Sequence, residues 1–225
     1  MRLDLMRWFL ACLFLIAPPA MAESWQVILG DRVLGELEYS RSGARKFLST
    51  RLNNTPLGVF NGTFEARSGP ATTEEGLIVT QYISEGKSTR KHRVISVLSL
   101  DGRVRDIVIQ PPGEATELSI PSAVPVPVLD PVEAFAALSA SRDCPAPLRF
   151  HDGRRVVGIA TQSRQVTGGK LRCAMNYRVT AGPGHLSPLR FTALDMVLVY
   201  SGAAPAPLER IDLTAAGFTV SLRRR

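Results

Sequence analysis

From residue 25 onward the chain alternates apolar and polar residues at the two-residue period of a half-buried strand. In 33–39, Val33, Leu37 and Tyr39 share one face with Gly35, while Glu36 and Glu38 occupy the other. Comparable runs occur at 25–29, 46–52, 58–66, 77–84, 89–99 and 104–110. They resume at 147–151, 154–162, 170–181, 189–200, 208–213 and 218–223. Gly30-Asp31, Asp101-Gly102, Asp152-Gly153 and Gly168-Gly169 fall between runs, and each suits a tight hairpin,. Strands joined in this way predict an antiparallel meander of about eleven or twelve. A sheet of that size curls or closes.

The pattern breaks at 111–129. Pro111, Pro112, Pro121, Pro125 and Pro127 each lack the donor that a central strand needs, so this is a crossing segment,. It leads into the one helix that the pattern supports, 130–140. Asp130 is the N-cap, Pro131 the first helical residue and Glu133 the third,. Val132, Phe135, Ala136 and Leu138 form a short apolar face that ends near Ala140,. The expected fold class is therefore mainly β: a large curved antiparallel sheet or half-barrel, open or closed, with one helix packed against it.

The first 22 residues break the pattern differently. Arg2 and Arg7 precede the apolar run 8–17, and Ala20-Met21-Ala22 has the small-x-small form of a cleavage site,. The run is far shorter than the roughly 20 residues of a membrane span. We read 1–22 as a signal peptide cleaved after Ala22, 23–225 as a single domain, and the destination as the periplasm. Cys12 sits too early for lipoprotein processing.

Composition changes the picture mainly through charge and cysteine. The 225 residues carry 27 Lys+Arg and 20 Asp+Glu, a net charge of +7, with 45% apolar residues. That excludes wholesale disorder. Cleavage after Ala22 removes Cys12 and leaves two cysteines, Cys144 and Cys173, in an exported chain. An even pair in an oxidising compartment reads as a disulfide, and here it would tie the helix end to a strand.

The residues Asp130-Pro131, Cys144, Phe150-His151-Asp152-Gly153-Arg154-Arg155, Cys173 and Tyr177 form a recognisable series. Together with the opening Trp25…Leu29-Gly30-Asp31…Val33-Leu34-Gly35, they resemble a family of exported bacterial proteins classed as a domain of unknown function. The resemblance spans about 25–224. It implies a periplasmic antiparallel β domain curved around a helix, similar to the half-barrels of periplasmic lipoprotein carriers. It brings no catalytic residues.

Candidate chemistry is sparse. There is no Gly-x-Ser-x-Gly elbow, no His-x-x-x-His pair and no glycine-rich phosphate loop,. His92, His151 and His185 read as surface or turn residues, and no cofactor or metal is expected. Glu74-Glu75 reads as a solvated loop. Asn53-Asn54-Thr55 and Asn61-Gly62-Thr63 match a glycosylation pattern but read as turns. The remaining clue is basic: Arg90, Lys91 and Arg93, then Arg154 and Arg155, then Arg223, Arg224 and Arg225. These are candidate contacts to an anionic membrane surface. Arg-rich strand ends would also discourage edge pairing. Nucleic acid is not an expected partner. The expected function is non-enzymatic binding of a lipid or other apolar ligand in the concavity of the sheet. An envelope assembly factor without a pocket is the alternative, and a hydrolase the next.

Overall fold

A computed structural model describes residues 21–225, except 59, 90 and 186–189. Residues 1–20 of the expected signal peptide, and Arg90, lie outside the described residues. The chain forms thirteen strands, one helix and four short 3₁₀ turns among the described residues. The first strands are β1 (Met21–Leu29), β2 (Arg32–Ser42), β3 (Arg45–Leu52) and β4 (Gly62–Thr72). They continue with β5 (Ile78–Ser88), β6 (His92–Leu100) and β7 (Arg103–Gln110). After α1 (Pro131–Ala140) come β8 (Leu148–His151), β9 (Val156–Thr167) and β10 (Lys170–Ala181). The last are β11 (Ala193–Tyr200), β12 (Leu208–Ala215) and β13 (Phe218–Arg224).

All thirteen form one antiparallel sheet, ordered β7-β6-β5-β4-β3-β2-β1-β13-β12-β11-β10-β9-β8. Two meanders thus meet where the first strand pairs with the last. The sheet does not close, and β7 and β8 are its edges. This corrects the expectation for the Arg-rich ends: β13 lies mid-sheet and β6 one strand in from an edge. The fourth strand also differs from its expected span, running to Thr72 through Gly69 and Pro70. Its pairing with β3 ends at Ser68, while its pairing with β5 continues to Thr72. Pro70 therefore sits on a local edge, where a missing donor is tolerated.

The crossing segment fills the gap between the two edges. Thr116 Oγ1 and Ser119 Oγ donate to the carbonyls of Arg154 and Gly153 at 2.7 and 2.9 Å. Further along, Val128 N–H donates to Gly102 O, and Leu129 forms a parallel bridge with Phe150 of β8. Glycines admit these close approaches. Gly102 has φ +73°, and a Cβ there would lie 2.9 Å from Pro127 Cβ. Gly153 has φ +92°, and a Cβ there would lie 2.5 Å from Ile95 Cγ2,.

The helix α1 occupies the concavity. Phe135 packs on Trp25 and Tyr39, with ring centroids 6.0 and 5.5 Å apart. Val132, Ala134 and Leu138 are buried in the same cluster. The expected cap is present: Asp130 Oδ1 accepts from Val132 N and Glu133 N at 2.8 and 2.9 Å. Its other oxygen accepts from Ser68 Oγ of β4 at 2.6 Å. Burial pushes the Asp130 carboxyl above its ordinary value, against the pull of these bonds. Asp130→Ala loses both a cap and a buried hydrogen bond, a cost of about 2 kcal/mol in urea unfolding. Asp130→Asn, which keeps an acceptor, should lose less.

The helix end is pinned to the opposite meander. Tyr200 OH donates to Asp143 O at 2.7 Å and lies 2.8 Å from Ser141 Oγ. Cys144 and Cys173 form the expected disulfide, with Cα atoms 5.5 Å apart. A disulfide fits an oxidising compartment. Among the described residues, no helix is long and apolar enough to cross a membrane.

Candidate ligand-binding cavity

β1, β3, β5 and β7 finish at the same end of the half-barrel, where β2, β4, β6 and β9 begin. Two of the three basic runs converge at this rim through Glu114, which follows the cis-proline at the end of β7. The Glu114 carboxylate lies 3.1 Å from Lys91 Nζ and 3.2 Å from Arg154 Nη2, and it also binds Arg93 Nη2. Its backbone carbonyl accepts from Arg154 Nε at 2.6 Å. Burial works against the Glu114 charge, but the Lys91 hydrogen bond and the Arg93 and Arg154 guanidinium groups outweigh it. Its carboxyl is held below the usual range. Burial, reinforced by Arg93, lowers Arg154 in turn.

Asp152 organises the neighbouring hairpin. One oxygen accepts from Arg154 N and Arg155 N, both at 2.9 Å. The other lies 3.0 Å from Arg155 Nε, without hydrogen-bond alignment. The side chains of Arg154 and Arg155 are only 14% and 9% exposed, whereas Lys91 is 56% exposed. Most of this charge therefore faces into the fold. The third run lies at the far end, apart from the others. Arg224 pairs with Glu23 at 2.9 Å and sits 5.7 Å from the Trp25 ring centroid, and Arg225 lies 3.9 Å from Glu36.

Beneath the rim is a cavity of about 210 Å³. Phe64, Tyr82, Ile95 and Phe150 give it apolar walls. Ser84, Arg93, Asp152 and His185 supply polar groups, and Pro131 of α1 forms part of the lining. Phe64, Gly86 and Arg93 separate it from a second cavity of about 250 Å³, which Leu52, Phe60 and Lys91 also line. Core side chains pack around α1, and a further space of about 430 Å³ is lined by Lys46, Gly69, Val79 and Glu133 of α1. A larger depression of about 800 Å³ lies beside the crossing segment, lined by Pro127, Leu129, Leu148 and Arg178.

His92 is exposed, as expected of a surface or turn residue, but His151 and His185 are more buried than that expectation. His151 is 1% exposed and its Nε2 lies 2.9 Å from Leu118 O. Strand β8 turns it inward beneath the crossing segment, an arrangement that local pattern does not reveal. His185 is partly buried, with Nε2 2.9 Å from Tyr177 OH. His92 bonds Glu85 at 2.7 Å. Burial pushes the Tyr82 and Tyr177 phenols well above their ordinary values. Asn61 acts as a turn fastener, as expected: its Oδ1 accepts from Thr55 N and Thr55 Oγ1 at 3.0 and 2.8 Å.

Ser84, Asp152 and His185 share one cavity, but no hydrogen bond joins Ser84 to His185 among the described residues. The His185 ring is engaged by Tyr177, and Asp152 by the backbone of its own turn. The nucleophile–base contact of a hydrolytic triad is therefore missing. No group of three or more potential metal ligands occurs among the described residues.

No protein-family model, curated protein or solved structure matches the chain.

The cavity carries a pH signature. Burial, then the charge of Arg155, pushes His185 down to about 4, with Asp152 opposing. Unfolded histidine titrates near 6.5, so the unfolded chain takes up the proton first. Stability is complete above about pH 6.5, falls as pH drops towards 4, and levels off below that. The loss at pH 5 is about 2 kcal/mol relative to pH 7.5. Burial also lowers His151, which adds to the same trend. Urea unfolding at the two pH values measures the loss, and His185→Asn should reduce it. Equal stability of the native chain at both would refute this assignment.

Proposed function

We propose that this is a non-enzymatic periplasmic binding protein that holds a small apolar ligand, or the apolar end of a larger one, under the rim of its half-barrel. The cavity walled by Phe64, Tyr82, Ile95 and Phe150 carries this reading. It is a mainly apolar space on the helix side of the sheet, with a few polar groups at its margin, which is the usual composition of a ligand site,. Its volume limits the occupant. Pockets for drug-sized ligands run to roughly 300–1,000 Å³, so a whole long-chain lipid does not fit inside. The disulfide supports an oxidising destination, and the pattern of 1–22 supports export.

Gly86 provides the test. It lies on the partition between the two cavities, and a Cβ there would make ordinary contact with Phe64 at 3.9 Å. Gly86→Leu should fill the space without straining the backbone. Native mass spectrometry of protein purified from its own compartment should show a bound small molecule that Gly86→Leu lacks. Ligand-free native protein, or an equally loaded variant, would refute the proposal.

The assembly-factor reading draws on the rim, where Leu57 and Phe218 are 97% and 67% exposed. A stoichiometric partner that persists in the Gly86→Leu protein and disappears with Leu57→Asp would favour that reading.

A further inference from the structure

Buried polar atoms without a partner are few in folded proteins, and each calls for an explanation. Among the described residues, Arg93 Nε and Arg155 Nη1 are two such atoms at this rim. Both belong to guanidinium groups, which only donate. The nearby carboxylates do not serve them. Glu114 is shared among Lys91, Arg93 and Arg154, and Asp152 accepts from the backbone of its own turn. Arg155 is 7% exposed, so water reaches it poorly. Arg93 lines both cavities and stands at their partition.

We propose that the ligand carries an anionic oxygen group, a carboxylate or its equivalent, which Arg93 receives at the partition while the apolar body lies between Phe64, Ile95 and Phe150. The inference rests on the binding reading above and specifies its ligand class. Among the described residues Arg93 Nε lacks an acceptor, and an anionic oxygen at the partition supplies one. Hydrogen bonds from a guanidinium to such a group are about twice as strong as neutral ones. Four cations (Lys91, Arg93, Arg154 and Arg155) face two carboxylates here, so an incoming anion meets a net positive field. The inward orientation of Arg154 and Arg155 favours an internal anion over an anionic lipid surface.

The test compares hexanoate, hexan-1-ol and hexylamine by isothermal titration calorimetry. The native protein should bind hexanoate about tenfold more tightly than hexan-1-ol, and hexylamine most weakly. Arg93→Gln should bring hexanoate to within about twofold of hexan-1-ol while leaving the alcohol's affinity unchanged. Glu114→Gln removes a competing carboxylate and should tighten hexanoate alone, which keeps the test decisive if Arg93→Gln fails to fold. Equal binding of acid and alcohol by native protein would overturn the anionic assignment, as would a preference that survives Arg93→Gln or is lost in Glu114→Gln. Binding of none of the three compounds would instead remove the cavity reading itself.

Discussion

Replacing Cys144 and Cys173 with serine lowers the unfolding free energy by about 3–4 kcal/mol, the chain-entropy value for a loop of this size. The bridge closes 29 residues that include β8, β9 and the hairpin carrying Asp152. Without it, the unfolded chain recovers the freedom of that loop. The native state keeps its other ties at this point, since Tyr200 still bonds Asp143 and Ser141. The folded structure should therefore survive, with its urea midpoint lowered. Reducing agent should shift the native protein equally and leave the double variant unaffected. A change below about 1 kcal/mol would show that the unfolded chain stays compact around this loop.

Trp25→Ala should cost about as much or more, about 3–5 kcal/mol. Trp25 is fully buried and lies at the centre of the sheet, on the strand that joins the two meanders. It contacts Phe135 of α1 on one side and the Arg224 guanidinium on another. Its removal opens a space that the sheet and helix together cannot close. Trp25→Phe should cost much less, because the indole Nε1 has no hydrogen-bond partner among the described residues to lose. Thermal or urea unfolding of the pair separates the two effects. Similar losses for Ala and Phe would mean that the indole edge, and not the volume, carries the stability.

Much of this fold was legible from local sequence. The Asp130 cap, the proline crossing, the glycine hairpins and the cysteine pair each depend on residues close together, or on simple parity. Asp101 and Gly102 both have positive φ, 50° and 73°, as an Asp-Gly turn between strands requires,. Long-range placement was less legible. Arg154 and Arg155 read as solvent-facing charge because their local pattern is polar, yet Glu114, 40 residues earlier, draws Arg154 inward. No signal in 111–115 marks that glutamate as an ion-pair centre. His151 looked like a turn residue for the same reason, since its cover comes from Leu118, 33 residues away. Pro70 and Gly69 concealed the far half of β4, where β3 had already ended. The alternation of a strand identifies two faces, but only the curvature of the sheet decides which is concave. Cavity residues such as Phe64 and Tyr82 were therefore indistinguishable from ordinary core.

The pairing of β1 with β13 also sets the order of events in folding. Trp25 and Arg224 face each other across the middle of the sheet although about 200 residues separate them in sequence,. The outer edge of β1 thus has no partner until the last strand has been made. A chain emerging from its N-terminus can form the β1–β7 meander, but it presents an unprotected edge at what will become the centre. The pairing of β1 with β13 waits until β13 has been made, and a factor that shields β1 in the interval would suppress aggregation without contacting the proposed ligand site,.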